Sequence, residues 1–147
     1  MPVTSSKSKV CFFFEKKDFS LKKRGKLKAF VEAVFKKEGK KLESLNYIFT
    51  TDKELAKLNA DFLHHDELTD IITFEYSNTD KTQGEIYISI DRVRDNARIL
   101  NVPFIQELHR VIFHGALHLC GYKDKSSFHV KQMRQREDYY LEIFANH

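Results

Sequence analysis

Short apolar runs and longer amphipathic stretches alternate along the chain, and these two patterns predict strands and helices respectively. Runs rich in aromatic and β-branched residues predict four strands, at 10–14, 45–50, 70–76 and 84–90. The first run, VCFFF, is apolar throughout, so we expect it to be buried on both faces or to lie at the centre of a sheet. The polar segment between the third and fourth strands predicts a hairpin or a long connecting loop.

Apolar residues spaced three and four positions apart predict about five helices. Ser20 is expected to cap a first helix that starts at Leu21 and is stopped by Gly39, and Thr51 with Glu54 to form the capping box of a short second helix. Asp91 is expected to cap a third helix over 92–101. The fourth helix follows Pro103 over 104–119, and the fifth covers 127–145. The chain is therefore predicted to be an α+β protein, with a small mixed sheet of about four strands covered by about five helices.

The length of 147 residues indicates a single domain over 1–147. No apolar run approaches the roughly 18 residues that a membrane span requires, and the segment after the N-terminus lacks the apolar core of a signal peptide. We therefore expect a cytoplasmic protein without membrane association. Cys11 and Cys120 are too few for a disulfide framework and are expected to be reduced, buried thiols.

Charge is distributed unevenly along the chain. Residues 1–45 contain 13 Lys or Arg against 5 Asp or Glu, a balance of +8, whereas the remaining 12 basic and 16 acidic residues give −4. The basic part is a candidate surface for a polyanion such as RNA. The alternative is a solvated, lysine-rich helix face without a ligand.

The strongest chemical signal is the segment HGALHLCGYKD at 114–124. On a helix, His114 and His118 project from one face at a distance that one metal ion can bridge. Gly121 stands where a left-handed residue would end the helix and turn the chain back, which delivers Asp124 toward the two imidazoles. Three protein ligands leave the fourth position of a tetrahedral zinc ion open, as in catalytic rather than structural sites.

Other interpretations of this segment stay open. Two histidines at this spacing also occur on ordinary helix surfaces. Asp124 could instead cap the following helix or pair with Lys125. Cys120 can bind a metal in principle, but it should point to another face of the helix, and His129 is a reserve ligand.

The ten-residue spacing from the first to the third ligand, with a glycine at the turn, also occurs in metzincin proteases. In those enzymes the residue after the first histidine is a glutamate that serves as the general base. Here that residue is Gly115. Peptide hydrolysis is therefore the weaker hypothesis.

Three ordered blocks of the sequence resemble the YbeY family. HGALHLCGYKD resembles its H-G-x-L-H-L-x-G-Y-D-H signature, LNADFLHHDELTDIITF at 58–74 resembles a second block, and GEIYIS at 84–89 resembles a third. The resemblance covers about residues 55–125 and implies a metal-dependent, single-strand-specific endoribonuclease with one zinc ion per chain. It further implies a role in ribosomal RNA processing, including maturation of the 16S rRNA 3′ end, and in ribosome quality control.

The resemblance also implies partners and a mode of substrate binding. The RNA would be an rRNA precursor on the small ribosomal subunit, and a ribosomal protein or a GTPase could direct the reaction. Basic side chains would hold the RNA backbone. The candidates are Lys22, Lys23 and Arg24 of the first helix together with Lys123 and Lys125.

Two positions depart from the family pattern. Asp124 replaces the third histidine of the family, and Leu63 replaces an arginine. Arg110, one turn before His114, could supply the missing cation as a phosphate or transition-state contact, or it could be a surface arginine paired with Glu107.

Asp70 could orient a ligand histidine through its outer nitrogen, or it could be a structural turn residue. His64 and His65 are expected to be exposed loop residues. A metallohydrolase of another substrate class and an RNA-binding factor with a structural metal remain as alternative functions.

Overall fold

The structure is a computed structural model that describes residues 8–63, 69–76 and 79–146. His64 and His65 lie outside these described residues. The elements are β1 (Val10–Phe14), α1 (Arg24–Lys37), β2 (Lys41–Thr50), α2 (Asp52–Leu58) with a π-helical turn at Asn59–Leu63, β3 (Ile71–Glu75), β4 (Lys81–Ser89), α3 (Ile90–Leu100), α4 (Phe104–Leu119) and α5 (Ser127–Ala145).

The strands form a mixed sheet in the order β1-β2-β4-β3. β1, β2 and β4 run parallel, whereas β3 pairs antiparallel with β4. This pairing confirms the predicted hairpin, and the mixed sheet with its helices confirms the predicted α+β class. The bounds of β1, α4 and α5 match those expected from the pattern of apolar residues.

The predicted position of the first strand is wrong, because β1 lies at an edge of the sheet and not at its centre. Phe12 and Phe14 pack on the rings of β2, with Phe14 stacked on Phe49 at a centroid distance of 5.4 Å. Phe13 points to the other face and is 49% exposed. A continuous apolar run thus forms a half-exposed edge strand.

Two predicted helix caps are also wrong. α1 begins at Arg24 after a left-handed Lys23, because Leu21 is buried in the core and belongs to the preceding segment. α3 is capped by Ser89, whose hydroxyl accepts from the amide of Arg92. Asp91 instead accepts a hydrogen bond from the amide of Asp52. By contrast, the Thr51 hydroxyl accepts from the Glu54 amide at 3.2 Å, as predicted for the second helix.

α4 packs between the sheet and the other helices, and most of its residues are buried. The closest approach to the sheet is at Gly115, where an added Cβ would lie 2.7 Å from Ile86 Cδ1 and 3.0 Å from Ile71 Cδ1. The position that carries a glutamate in metalloproteases therefore faces the sheet. Gly115 lets α4 lie close enough to β3 and β4 to be held in register by packing.

Among the described helices, none combines the length and the apolar character that a membrane crossing requires. Both cysteines are free thiols, as predicted. Cys120 is buried, but Cys11 is only half-buried because β1 lies at the sheet edge.

The pH dependence of folding stability tests the packing of α4 against α5 at His109. Burial beside Phe113 and Phe144, together with the charges of Lys23 and Lys26, lowers the pKa of His109 from 6.5 to about 4. The unfolded chain therefore binds a proton that the folded chain excludes, so this residue makes the folded state lose stability as pH falls from 6.5 toward 4. The loss should be on the order of 1–2 kcal/mol, since part of the ring is solvated.

Urea unfolding of wild type and His109→Phe at pH 7 and pH 4.5 measures this contribution. We expect the wild type to lose more stability than the variant over this interval. Equal losses of stability would show that His109 binds a proton as readily in the folded protein as in the unfolded chain.

Candidate metal centre

α4 ends in the turn that the sequence predicts. The amide of Gly121 donates to the carbonyl of His118, and the amide of Tyr122 donates to that of Leu117, at 3.0 and 3.1 Å. These two bonds form a Schellman motif around Gly121, which has a φ of 109°. The chain therefore reverses direction directly after the second histidine.

The reversal brings Asp124 back to the first histidine. Asp124 Oδ2 lies 3.3 Å from His114 Nε2. The cap of α5 is formed by Ser126, which accepts from the amide of His129, so the alternative in which Asp124 caps that helix is wrong. The turn therefore places the carboxylate of Asp124 in contact with the imidazole of His114.

His118 lies one turn further along the same face of α4. Its ring is nearly parallel to that of His114, with an interplanar angle of 4° and a centroid distance of 6.4 Å. Within the described ranges, no three His, Cys, Asp or Glu side chains are close enough to form a complete metal site. His114 and Asp124 are thus in contact, and His118 lies one helical turn away on the same face of α4.

The donor set fits a zinc ion in its chemistry, although only His114 and Asp124 are in contact among the described residues. Two imidazoles and a carboxylate are zinc ligands, and three of them leave a coordination position open. His114 is also held as ligand histidines usually are, with its other nitrogen bonded to a carboxylate. His114, His118 and Asp124 are therefore the residues that would hold the metal.

The carboxylate behind His114 belongs to Glu137 of α5. Glu137 Oε2 lies 2.7 Å from His114 Nδ1, and the residue is only 4% exposed. With a proton on Nδ1 donated to this carboxylate, Nε2 keeps its lone pair on the side of Asp124. Burial lowers the pKa of His114, but the hydrogen bond and charge of Glu137 outweigh burial and raise it.

Arg110 holds the other oxygen of the same carboxylate. Its guanidinium donates to Glu137 Oε1 at 2.8 Å and to Asp138 Oδ1 at 2.7 Å, so the partner expected from the sequence, Glu107, is not the one that the arginine bonds. Its predicted contact with a phosphate stays a prediction. In the structure, Arg110 stabilises the charge of Glu137 and so supports His114 indirectly.

A pocket beside His114 and Asp124 contains further acidic side chains, Asp70 and Glu107. Burial raises the pKa of both carboxyl groups. Asp70 accepts a hydrogen bond from Asn96 Nδ2 at 3.3 Å. Asp70 was a candidate to orient a ligand histidine, but the carboxylate that bonds Nδ1 of His114 is that of Glu137.

The remaining candidates are distributed around this centre. Cys120 is buried, which raises the pKa of its thiol to about 12, and His129 lies at the start of α5 with its Nδ1 2.7 Å from the Ser126 hydroxyl. Lys123 and Lys125 are exposed on the same turn as Asp124. Leu63 ends the π-helical turn.

The three basic residues predicted at the first helix are not equivalent in the structure. Lys22 and Lys23 are exposed just before α1. The guanidinium of Arg24 lies 4.5 Å from the centre of the Phe14 ring, and its Nε donates to the carbonyl of Leu21. Arg24 is therefore engaged within the fold.

Glu137 is not among the site residues predicted from the sequence. A signal was available, because Met133, Glu137, Tyr140 and Phe144 follow one another at helical spacing and all four are buried. A carboxylate in the middle of an apolar stripe needs a buried partner. His114 and Arg110 are those partners.

Three features define the class of protein: a mixed sheet covered by helices, a buried helix with histidines four apart, and a glycine turn that returns an aspartate to the first of them. The chain is therefore an α+β domain with a histidine–aspartate contact at one end of a buried helix. Comparison with known proteins gives the particular family. The sequence profile described as Endoribonuclease YbeY matches residues 12–145, and the chain belongs to this family. The resemblance predicted from the three sequence blocks is thus confirmed.

Individual relatives cover most of the chain. The Endoribonuclease YbeY of Flavobacterium psychrophilum is 46% identical over 127 residues, which are 86% of this chain and 91% of the relative. That of Cytophaga hutchinsonii is 45% identical over 135 residues, covering 91% and 94%. The solution structure of a Thermotoga maritima protein has a TM-score of 0.62 at 30% identity, covering 92% of this chain and 88% of that one.

Substitution of Glu137 tests the support of His114 in the metal-free protein. Glu137→Gln removes the negative charge that both Arg110 and His114 contact. The largely buried guanidinium of Arg110 then keeps only one anionic partner, the exposed Asp138. We expect the free energy of unfolding to fall by about 3 kcal/mol. Asp138→Asn is the matched control, because Asp138 also pairs with Arg110 but is exposed, and it should change stability by less than about 1 kcal/mol.

Chemical denaturation of the two variants distinguishes them. Equal losses of stability would mean that Glu137 behaves as a surface partner of Arg110 and does not organise the site.

Proposed function

We propose that the chain is a zinc-dependent endoribonuclease that hydrolyses phosphodiester bonds in single-stranded RNA. The observation that carries the proposal is the contact between His114 Nε2 and Asp124 Oδ2, on a histidine whose Nδ1 is held by a buried glutamate. Membership of the Endoribonuclease YbeY family supports RNA as the substrate class and hydrolysis as the reaction. Zinc is the proposed cofactor because the donor set is nitrogen and oxygen with an open position.

When bound, a zinc ion would polarise a phosphoryl oxygen and lower the pKa of a water to about 7. The chain's own residues prepare the place for that chemistry. Glu137 keeps the proton of His114 on Nδ1 and thereby leaves Nε2 free to ligate. Asp124 contributes a negative charge where its relatives' pattern has a neutral histidine, which should make the bound metal a weaker acid.

One packing contact argues against the metalloprotease alternative. Gly115 faces Ile71 and Ile86 of the sheet, so a glutamate there could not reach a group bound beside His114 without displacing the sheet. The base of the metalloprotease pattern is therefore missing for a packing reason. We expect no turnover of casein.

Substrate binding is proposed to rely on the exposed lysines next to Asp124. Lys123 and Lys125 belong to the turn itself, and the exposed Lys22 and Lys23 just before α1 are the further candidates. The side chain of His114 is only 22% exposed, so a phosphate must approach closely to reach it. A flexible single strand can bend into such a site more easily than a duplex.

The biological role proposed here is ribosomal RNA processing in the cytoplasm, including maturation of the 16S rRNA 3′ end and ribosome quality control. It rests on the family, whose members carry the name Endoribonuclease YbeY. A small-subunit precursor would be the substrate, and a ribosomal protein or a GTPase would direct the enzyme to it.

Alanine substitutions test the metal centre and the reaction together. His114→Ala, His118→Ala and Asp124→Ala should each reduce zinc content from about one ion per chain and should slow cleavage of a single-stranded RNA by at least about 100-fold. His129→Ala is the matched control, because His129 lies close in sequence but bonds Ser126, and it should keep both properties. Zinc is measured by elemental mass spectrometry after dialysis.

Two outcomes would contradict the proposal. Zinc retained in Asp124→Ala at the wild-type level would remove Asp124 from the ligand set. Wild-type protein that holds zinc and binds single-stranded RNA without cleaving it would favour an RNA-binding factor with a structural metal.

The salt dependence of RNA binding tests the role of the turn lysines. Replacing both Lys123 and Lys125 by alanine should weaken binding to single-stranded RNA and reduce the slope of log K against log salt by about 0.7 per lysine. The control replaces Lys53 and Lys57, two exposed lysines of α2. A slope unchanged by the first pair, or lowered equally by both pairs, would place the RNA elsewhere.

A further inference from the structure

The geometry points to Glu38 as a positioning residue that, through the hydroxyl of Tyr122, holds the turn carrying Asp124 against α4. Glu38 immediately follows α1 and is remote in sequence from the candidate metal centre. The inference concerns how Asp124 is kept beside His114. Its consequence for zinc binding rests on the proposed function, whereas its consequence for the order of the turn does not.

Glu38 is a carboxylate surrounded by donors. Tyr122 donates its hydroxyl to Oε1 at 2.8 Å, Arg136 donates to Oε2 at 2.6 Å, and the hydroxyl of Tyr140 donates to the same oxygen. The side chain of Glu38 is 9% exposed. These bonds join the end of α1, the turn after α4 and helix α5 at one anion.

The anion is firmly held. Burial would raise the pKa of Glu38, but the three donors and the charge of Arg136 lower it, so the side chain is ionised at neutral pH. The guanidinium of Arg136 lies 4.6 Å from the ring centre of Tyr139 and 5.4 Å from that of Tyr140. Charge-assisted hydrogen bonds of this kind are stronger than neutral ones.

Tyr122 is the member of this cluster that belongs to the turn. Its amide is fixed by the Schellman bond to Leu117, and its hydroxyl is fixed by Glu38. Asp124 follows two residues later. Within the described residues, the side chain of Tyr122 joins residues 121–125 to Glu38 and to its partner Arg136, and the side chain of Asp124 joins them to His114.

The two ties act on neighbouring residues and therefore depend on each other. Asp124 is 39% exposed and makes a contact of 3.3 Å, which by itself is a weak restraint. If Tyr122 were released, the turn could move away from α4 and the carboxylate would leave His114. The Glu38–Tyr122 bond thus pre-organises the third donor before any ligand arrives.

The test compares two tyrosines that donate to the same carboxylate. Tyr122→Phe removes the bond that reaches the turn, and Tyr140→Phe removes a bond that reaches only α5. In the metal-free protein, we expect Tyr122→Phe to speed hydrogen exchange about tenfold at the backbone amides of residues 121 and 122. It should also weaken zinc affinity about tenfold, as lost supporting contacts of metal sites typically do.

Tyr140→Phe should leave both quantities within about twofold of wild type, although it removes a buried hydrogen bond and should lower overall stability. Glu38→Ala should add no further loss of zinc affinity in the Tyr122→Phe background, because the two residues act through one bond. Circular dichroism establishes that the variants are folded.

The inference would be overturned if Tyr122→Phe had the same hydrogen-exchange rates and zinc affinity as the wild type. Equal effects of the two tyrosine substitutions would also overturn it. If the wild type binds no zinc, the proposal of a zinc-dependent enzyme is wrong. The exchange measurement then still decides whether Glu38 holds the turn.

Discussion

The packing of α4 is the constraint on which the rest of the structure depends. Its buried residues contact the sheet, α1, α3 and α5, and the glycine at 115 brings it into contact with Ile71 and Ile86. Only part of the helix surface remains accessible, and His114 and His118 lie on that part. Because the helix cannot rotate without disrupting the core, the direction in which the two imidazoles project is fixed by apolar packing. The chemistry of the site is thus determined by the same contacts that fold the chain.

Two buried carboxylates fix the position of groups that apolar packing alone cannot orient. Glu137 fixes the proton of His114, and Glu38 fixes the turn that returns Asp124. Both are surrounded by donors, Arg110 for the first and Arg136 for the second. A buried anion is expensive unless it is fully hydrogen-bonded, so each of these clusters adopts one arrangement. α5 supplies residues to both clusters and therefore supports the site, although His114, His118 and Asp124 lie on α4 and in the turn after it.

The sequence predicts those features that depend on local pattern. The helix over 104–119, the turn at Gly121 and the return of Asp124 follow from spacing and glycine chemistry, and the structure agrees with each. The edge position of Val10–Phe14 and the cap at Ser89 depend on which strands pair with each other. The spacing of apolar residues along the chain does not encode that pairing. Glu137 and Glu38 were missed because their partners are distant in sequence, 23 residues for His114 and 84 for Tyr122.

X-ray absorption spectroscopy at the zinc edge of the loaded protein tests the central claim most directly, because it identifies the donor atoms themselves. With His114, His118 and Asp124 as ligands, the spectrum should show about two imidazoles per zinc, nitrogen and oxygen donors at about 2.0–2.2 Å, and no sulfur. A sulfur shell at about 2.3 Å, or fewer than two imidazoles, would contradict the account, since the metal would then be bound by Cys120 or away from α4.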